Sequence, residues 1–321
     1  MMSFLSFSFF TFLLLCSSGI EAAPLTPEKR GIPIDQLSTF KLMRQYAAAA
    51  YCSSNFDSTV GQIKCAAGNC PQVEAADSAT VLEFDRKETS TDVAGYVGVD
   101  HTNKLIVVAF RGSTTIDAWI TNFDFDTVNT DICSGCTAHH GFWNSWVDAR
   151  DRVTPAVQQA SSTFPDYKIA VTGHSLGAAI ASLAAAQLRN SGLSVALYNF
   201  GSPRIGGTKI SSYISNQPGG NFRVTHLNDP VPKLPLLTMG YVHISPEYYI
   251  SKPNNQDVNT GDIQVYNGPI NLLKGNQAWL TIDLDAHRWY FGSMYTCDAK
   301  SKRGVLQIRG VEEEVTIFAT F

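Results

Sequence analysis

The chain has 321 residues, of which 44% are hydrophobic and 16% are charged, and its formal net charge at pH 7 is −4. This composition is typical of a globular protein and excludes an intrinsically disordered one. Binding of nucleic acid is not expected either, because it requires basic patches. A single domain is the simplest interpretation, since no repeat, low-complexity segment or linker divides the chain.

The N-terminal segment has the pattern of a secretory signal peptide over residues 1–23. An apolar run from Phe4 to Leu15 precedes small residues that end at Ala22-Ala23, and this run is too short for a comfortable membrane span. A buried N-terminal helix is the alternative, because the usual basic residues before the run are missing. We therefore expect a secreted, extracellular protein.

A dibasic pair, Lys29-Arg30, follows the predicted signal peptide and makes residues 24–30 a candidate pro-peptide. A chance basic pair on a flexible terminus is the alternative. At the other end, residues 298–321 follow the last cysteine and carry a second basic pair and an acidic run. They are either a processed tail or an added surface segment.

Six cysteines lie outside the predicted signal peptide: Cys52, Cys65, Cys70, Cys133, Cys136 and Cys297. An even number in an exported chain indicates disulfides, although spacing alone does not choose among the many connectivities. A redox motif or half of a zinc site is the alternative for Cys133-x-x-Cys136. No second C-x-x-C exists in the sequence, so we expect no metal.

Predicted helices and strands alternate along the chain. Apolar residues at three- and four-residue spacing predict a helix over 34–51. The continuous apolar run 105–110 is typical of a buried central strand. The other predicted elements are strands at 81–85, 95–100, 167–172, 195–200 and 222–226, and helices at 141–163, 178–186 and 205–217. This order predicts an α/β fold with a mostly parallel central sheet and helices on both faces.

The most informative motif is Gly173-His174-Ser175-Leu176-Gly177, which reads G-x-S-x-G. An apolar strand precedes it and an alanine-rich helix follows it, as a nucleophile elbow requires. The glycines permit the sharp turn that exposes the serine, and the helix N terminus directs partial positive charge at an oxyanion formed there. Ser175 is therefore the predicted nucleophile of a serine hydrolase.

A serine nucleophile needs a base, and two histidines lie well downstream of the elbow, His243 and His287. Aromatic residues follow His287, as expected for a loop histidine over a partly shielded cleft. His243 lies in a segment that alternates like a short strand, where a structural histidine is the simpler interpretation. The pattern favours His287 without excluding His243.

The base needs an orienting carboxylate, which in this fold lies between the serine and the histidine in chain order. Asp229 follows a predicted strand and precedes two nearby prolines, which places it well for that role. An ordinary turn aspartate is the alternative, since Asn-Asp-Pro is also turn chemistry. Spacing alone leaves Asp262, Asp283 and Asp285 possible.

Two further features are expected around the nucleophile. Leu176 and Ser113, the latter after the strand at 105–110, are the candidates for the backbone N–H groups of an oxyanion hole, and a plain strand-ending turn is the alternative for Ser113. Ile116, Trp119 and Ile120 form an apolar face on a short predicted helix. This helix is either a lid that opens toward lipid or a helix packed permanently on the core.

Together these motifs resemble the fungal class 3 secreted lipases, of the Thermomyces lanuginosus lipase-like type and close to the Fusarium lipases. The resemblance runs from about residue 46 to Cys297. It is carried by the elbow and by seven further segments: Ala50-Tyr51-Cys52, Asn103–Val107, Phe110–Ser113, Asp131–Cys136, Asn228–Pro232, Ser245–Tyr248 and Ala286–Gly292.

The resemblance implies an α/β-hydrolase domain over residues 31–297 with Ser175 as nucleophile, Asp229 as acid and His287 as base. It also implies Ser113 and Leu176 in the oxyanion hole, Trp119 in the lid, and no cofactor. Tyr51 is expected near the acyl site, and we add His174 to the substrate-binding residues. The disulfides implied are Cys52–Cys297, Cys65–Cys70 and Cys133–Cys136.

The function implied is that of a monomeric, secreted triacylglycerol lipase that hydrolyses esters at lipid–water interfaces through an acyl-enzyme, without a membrane span. A phospholipase A1 and a feruloyl esterase of the same fold are the catalytic alternatives. The apolar face of the predicted lid speaks against the feruloyl esterase. A non-catalytic lipid-binding protein is also conceivable from fold alone, but it would not need a triad.

Overall fold

A computed structural model describes residues 31–85, 87, 89–116, 120, 125–294 and 297. The predicted signal peptide, pro-peptide and C-terminal tail lie outside these residues, as does Trp119. The α-helices with full bounds are α1 Ile34–Ala49, α2 Pro71–Ala75, α3 His140–Thr163, α4 Leu176–Asn190, α5 Thr208–Asn216 and α6 Leu284–His287.

The strands pair into a large sheet and a small hairpin. In chain order they are β1 Ser78–Phe84, β2 Gly95–Asp100, β3 Leu105–Phe110, β4 Thr127–Asn129, β5 Thr137–His139, β6 Lys168–His174, β7 Val195–Phe200, β8 Asn221–His226, β9 Glu247–Ile250 and β10 Ile263–Tyr266. The eight-stranded sheet has the order β1-β2-β3-β6-β7-β8-β9-β10, and β4 pairs with β5 alone.

The centre of the large sheet is parallel, from β3 through β6, β7 and β8 to β9. Its two edges are antiparallel. Because parallel strands end at the same edge of a sheet, β6, β7 and β8 bring the residues that follow them to one side of the molecule. The elbow serine, Gly201 and the loop to Asp229 follow these three strands in turn.

Helices cover both faces of the sheet, as the alternating pattern predicts. On one face α3 and α4 pack against the strands, with Trp146 among the largest fully buried side chains. On the other face α1 contributes Phe40, Met43 and Tyr46 to a second apolar layer. The central strands are therefore buried on both sides, which explains the continuous apolar run of β3.

Three disulfides join Cys52 to Cys297, Cys65 to Cys70 and Cys133 to Cys136. The first links the end of α1 to the C-terminal part of the domain across 245 residues of sequence. In the chain-entropy model a loop of this length stabilises the fold by about 5 kcal/mol. Within the described part of the chain, no helix is long and apolar enough to cross a membrane.

Candidate active site

Ser175 occupies a strained turn between β6 and α4. Its φ of 57° and ψ of −130° lie in a backbone region that residues other than glycine rarely adopt. The Ser175 backbone N–H donates to the Phe200 carbonyl at 3.0 Å, and its carbonyl accepts from Ala178 at 3.0 Å. These bonds hold the serine at the end of the strand and directly before the helix.

The two glycines of the elbow are required by close backbone approach. A Cβ atom at Gly173 would lie 2.4 Å from the backbone of Gly177. A Cβ atom at Gly177 would lie 2.2 Å from the carbonyl oxygen of Phe110, which ends β3. Side chains at either position would therefore force the strand and helix apart.

Asp229 and His287 form a buried pair. His287 Nδ1 lies 2.8 Å from one carboxylate oxygen of Asp229 and 2.9 Å from the other. Asp229 also accepts from the Val231 backbone N–H at 2.8 Å and from the Tyr290 hydroxyl. Because the carboxylate accepts a hydrogen bond from Nδ1–H, the neutral ring keeps its proton on Nδ1 and presents a lone pair on Nε2.

Two buried polar atoms at the site have no hydrogen-bond partner among the described residues, Ser175 Oγ and His287 Nε2. Burial of unpartnered polar atoms is costly, so such atoms mark places where function, and not stability, sets the arrangement. The hydroxyl of a serine nucleophile and the lone pair of its base are often hydrogen-bonded only when substrate is bound.

Gly201 allows the backbone after β7 to approach Asp229 and His287 closely. Its φ is 58°, and a Cβ atom there would lie 3.0 Å from Asp229 Oδ2, from His287 Nδ1 and from the Tyr290 hydroxyl. Sequence reasoning missed Gly201 and Tyr290. In the sequence, Tyr290 is only one member of the aromatic run that follows His287, and nothing there indicates that it would contact Asp229.

His174 contacts the backbone of His287. Its Nε2 lies 2.8 Å from the His287 carbonyl oxygen, and its Nδ1 lies 2.8 Å from the Tyr51 hydroxyl. A carbonyl only accepts, so Nε2 carries the proton and Nδ1 accepts from Tyr51. Burial, reinforced by the neighbouring His287, lowers the pKa of His174 well below its ordinary value. His174 therefore remains neutral when the base takes up a proton.

The sequence places His174 among the predicted substrate-binding residues, and that role stays a prediction. The side chain is buried and both ring nitrogens are engaged within the protein. The Tyr51 hydroxyl likewise faces His174 and the backbone of Gly112, where a Cβ atom would lie 2.0 Å from it. Tyr51 and His174 therefore contact each other in the protein interior.

The loop after β3 packs against the elbow, which brings the two predicted oxyanion-hole residues to the same region. A Cβ atom at Gly112 would lie 2.7 Å from the His174 carbonyl oxygen. Ser113 follows Gly112, is half-buried, and its hydroxyl accepts from the Thr115 backbone N–H at 3.2 Å. Leu176 is the first residue of α4, where backbone N–H groups lack intrahelical acceptors.

Of the predicted lid residues, Ile116 and Ile120 are helical and half-buried. Both follow the Ser113 loop in the chain, and their role in a lid stays a prediction. Trp119 lies outside the described residues.

The rival acids and base are engaged elsewhere. His243 Nε2 lies 2.7 Å from the Pro232 carbonyl oxygen in a fully buried position. Asp262 accepts from the Asn259 backbone N–H at the cap of a 3₁₀ turn, and Asp283 accepts from Asp285 at the start of α6. Asp285 also pairs with Arg288 at 3.2 Å.

Comparison with known proteins agrees with this geometry. The family model Lipase (class 3) matches residues 107–239. The chain is 45% identical over 288 residues to secreted mono- and diacylglycerol lipase A of Penicillium cyclopium, covering 88% of this chain and 94% of that protein. It is 42% identical over 274 residues to secreted mono- and diacylglycerol lipase 1 of Fusarium solani, covering 84% and 81%.

Solved structures give the same result. The crystal structure of a mono- and diacylglycerol lipase from Aspergillus oryzae superposes with a TM-score of 0.79 at 47% identity, covering 83% of this chain and all of that one. A structure described as a triacylglycerol lipase with a serine protease triad gives 0.73 at 27% identity, covering 84% and 99%. The chain therefore belongs to the class 3 lipase family of fungal secreted lipases.

Proposed function

We propose that this lipase hydrolyses acylglycerol esters with Ser175 as nucleophile, His287 as general base and Asp229 as the orienting acid. The observation that carries the proposal is the pairing of His287 Nδ1 with Asp229 while His287 Nε2 and Ser175 Oγ are left without partners. Both carboxylate oxygens of Asp229 and the Nδ1 of His287 have hydrogen-bond partners. Only His287 Nε2, the atom that would take the serine proton, has none among the described residues.

The proposed reaction has two halves. Ser175 Oγ attacks the ester carbonyl carbon while His287 Nε2 takes the hydroxyl proton, and the N–H groups of Leu176 and Ser113 bind the oxyanion. The C–O bond to glycerol breaks as His287 returns the proton to the leaving alcohol, which gives the acyl-enzyme. Water then attacks the acyl carbon while His287 Nε2 takes its proton, and the C–Oγ bond breaks as His287 returns that proton to Ser175 Oγ, which releases the fatty acid.

Exposed apolar side chains in the segments that follow Asp229 and precede His287 support action at a lipid–water interface. Leu236 and Met239 follow Asp229 in the chain, and Leu272, Leu273, Leu280 and Ile282 precede His287. Leu273 is 90% exposed and Leu280 is fully exposed. Large apolar side chains exposed in this way are suited to contact with lipid. We propose peripheral contact with lipid by a secreted monomer; secretion is supported by the secreted relatives described above.

Mono- and diacylglycerols are the first proposed substrates, because the relatives at 42–45% identity carry those names. Triacylglycerol, which the sequence motifs suggested, is the second, supported by the neighbour at 27% identity. Initial rates on monoolein, diolein and triolein emulsions at equal interfacial area separate the two. Faster hydrolysis of triolein than of the partial glycerides would reverse the order. Phosphatidylcholine and methyl ferulate in the same assay test the phospholipase A1 and feruloyl esterase alternatives.

Labelling with a fluorophosphonate tests the assignment of the nucleophile. We expect one covalent adduct on Ser175, located by peptide mass spectrometry, and no adduct on the Ser175→Ala variant. The same variant is expected to lose ester hydrolysis while its thermal unfolding remains cooperative. Activity near the wild-type rate in Ser175→Ala would show that another residue is the nucleophile.

A further inference from the structure

The acid and the base lie on different segments of the chain. Asp229 is three residues beyond the end of β8, and His287 ends α6. Asn276 lies between them in the chain, in the 3₁₀ turn Gly275–Ala278, and its side chain is 1% exposed. Its Nδ2 donates to the Asp229 carbonyl at 2.8 Å and to the Leu227 carbonyl at 3.0 Å. One amide group thus spans the loop that carries the acid.

The conformation of this loop is unusual. Leu227 has a φ of 36°, in the left-handed region that residues other than glycine rarely occupy. Such a conformation persists only where the surroundings hold it in place. The two N–H groups of the Asn276 amide match the two carbonyls that flank the turn, because carbonyls only accept and the amide nitrogen only donates.

Asn276 is itself fixed from the sheet. Its backbone N–H donates to Glu247 Oε1 on β9 at 3.1 Å. Glu247 is buried, accepts from the Thr225 hydroxyl, and lies 3.6 Å from the Arg223 guanidinium. Gly275 has a φ of 58°, and a Cβ atom there would lie 2.7 Å from the Glu247 carboxylate. The turn therefore packs closely against the Glu247 carboxylate, whose charge is balanced by Arg223.

We propose that Asn276 is a positioning residue for the triad acid. Its side-chain amide holds the Leu227 and Asp229 carbonyls and thereby keeps the Asp229 carboxylate on Nδ1 of His287. The inference rests on the proposed roles of Asp229 and His287. It assigns Asn276 no contact with substrate.

Two substitutions test this role. Asn276→Asp keeps the size of the side chain but, when ionised, places an oxygen against both carbonyls. Asn276→Ala removes the donor without adding charge, so it remains usable if the aspartate variant does not fold. Gln277→Ala is the matched control on the same turn. The Gln277 amide donates to the Pro232 carbonyl at 3.4 Å and to Asn276 Oδ1 at 3.5 Å, and neither bond reaches the Leu227 or Asp229 carbonyl.

The assay uses p-nitrophenyl butyrate below its solubility limit, so that adsorption to lipid does not enter. We expect kcat to fall on the order of tenfold to a hundredfold in both Asn276 variants, with KM nearly unchanged, because a misplaced catalytic group costs rate and not binding. The acid limb of the pH profile of kcat/KM should move to lower pH, since a more distant carboxylate favours the imidazolium less. Gln277→Ala should match the wild type.

Folded Asn276 variants with wild-type kcat would overturn the inference. A lower kcat accompanied by an unmoved acid limb would also overturn it, because loss of stability alone explains that result. The proposed triad has its own test. If Ser175→Ala retained activity, the triad assignment would be wrong. If Ser175→Ala is inactive while the Asn276 variants behave like the wild type, only the role of Asn276 is refuted.

Discussion

The Tyr51 hydroxyl donates to Nδ1 of His174 at 2.8 Å, and His174 in turn donates from Nε2 to the backbone of His287. His174, the second residue of the G-x-S-x-G motif, is thereby connected to Tyr51, just after the C-terminal end of α1, and to the segment that carries His287. This connection lies wholly in the interior, since Tyr51 is 8% exposed and His174 2%.

Tyr51→Phe is expected to destabilise the protein. The change leaves buried His174 Nδ1 without its donor, which costs about 1–3 kcal/mol in the free energy of unfolding. Urea denaturation followed by tryptophan fluorescence measures the loss. Tyr167→Phe is a matched control, because Tyr167 makes the same contact with His101 Nδ1 at 2.8 Å on the exposed surface. An equal effect of the two substitutions would contradict the prediction.

Acid is expected to destabilise the fold through its buried histidines. Burial lowers the pKa of His243 well below 6.5, with Arg223 and Arg204 adding to the effect. The unfolded chain then binds a proton near pH 6.5 that the folded chain does not, so stability is full above that pH and falls below it. Each such histidine contributes up to about 1.4 kcal/mol per pH unit.

Urea unfolding at pH 7.5, 6 and 5 checks this slope. His243→Gln removes one of the buried groups and should reduce the slope between pH 6 and 5, even if its stability at pH 7.5 is lower. A slope unchanged by the substitution would show that His243 is already protonated in the folded protein.

Gly177→Ala is expected to disrupt the elbow. The added methyl group would lie 2.2 Å from the Phe110 carbonyl, so β3 and α4 must separate, at a cost of about 1–3 kcal/mol or more. Thermal unfolding and activity on a soluble ester measure the effect, and both should fall. Gly261→Ala serves as control, because a Cβ atom there has no neighbour within 4 Å. Equal stability of the two variants would argue against the observed packing.

The double substitution Leu273→Asp and Leu280→Asp is expected to weaken adsorption to lipid without affecting the triad. Both side chains are almost fully exposed, so their loss costs little stability, while charge at these positions opposes entry into an apolar layer. Binding to phosphatidylcholine vesicles should fall, and kcat on a soluble ester should remain. Ile34→Asp, at a position 70% exposed on α1, should leave binding intact. Equal vesicle binding by all three proteins would locate the lipid contact elsewhere.

The sequence indicated most of the central sheet because its strands are strongly apolar. The predicted strand at 105–110 matches β3, and the predicted helix at 141–163 matches α3 within one residue. It gave no sign of β9 and β10. These strands have four residues each, and β9 begins with Glu247, whose burial depends on Arg223 and Thr225 from the neighbouring strand. From the sequence alone, a glutamate such as Glu247 is expected on the surface, because its partners on the neighbouring strand are known only from the fold.

The elbow at Ser175 follows from sequence alone, because strand, turn, glycines and helix are contiguous and the steric demand is local. The proposed partners of Ser175 do not follow in that way. Two histidines and four aspartates fit the spacing, and only the tertiary structure places Asp229 on His287 and His243 on a carbonyl. Residues such as Gly201 and Asn276 act through contacts between distant segments, which exist only after β7, β8 and the turn at 275–278 have packed together.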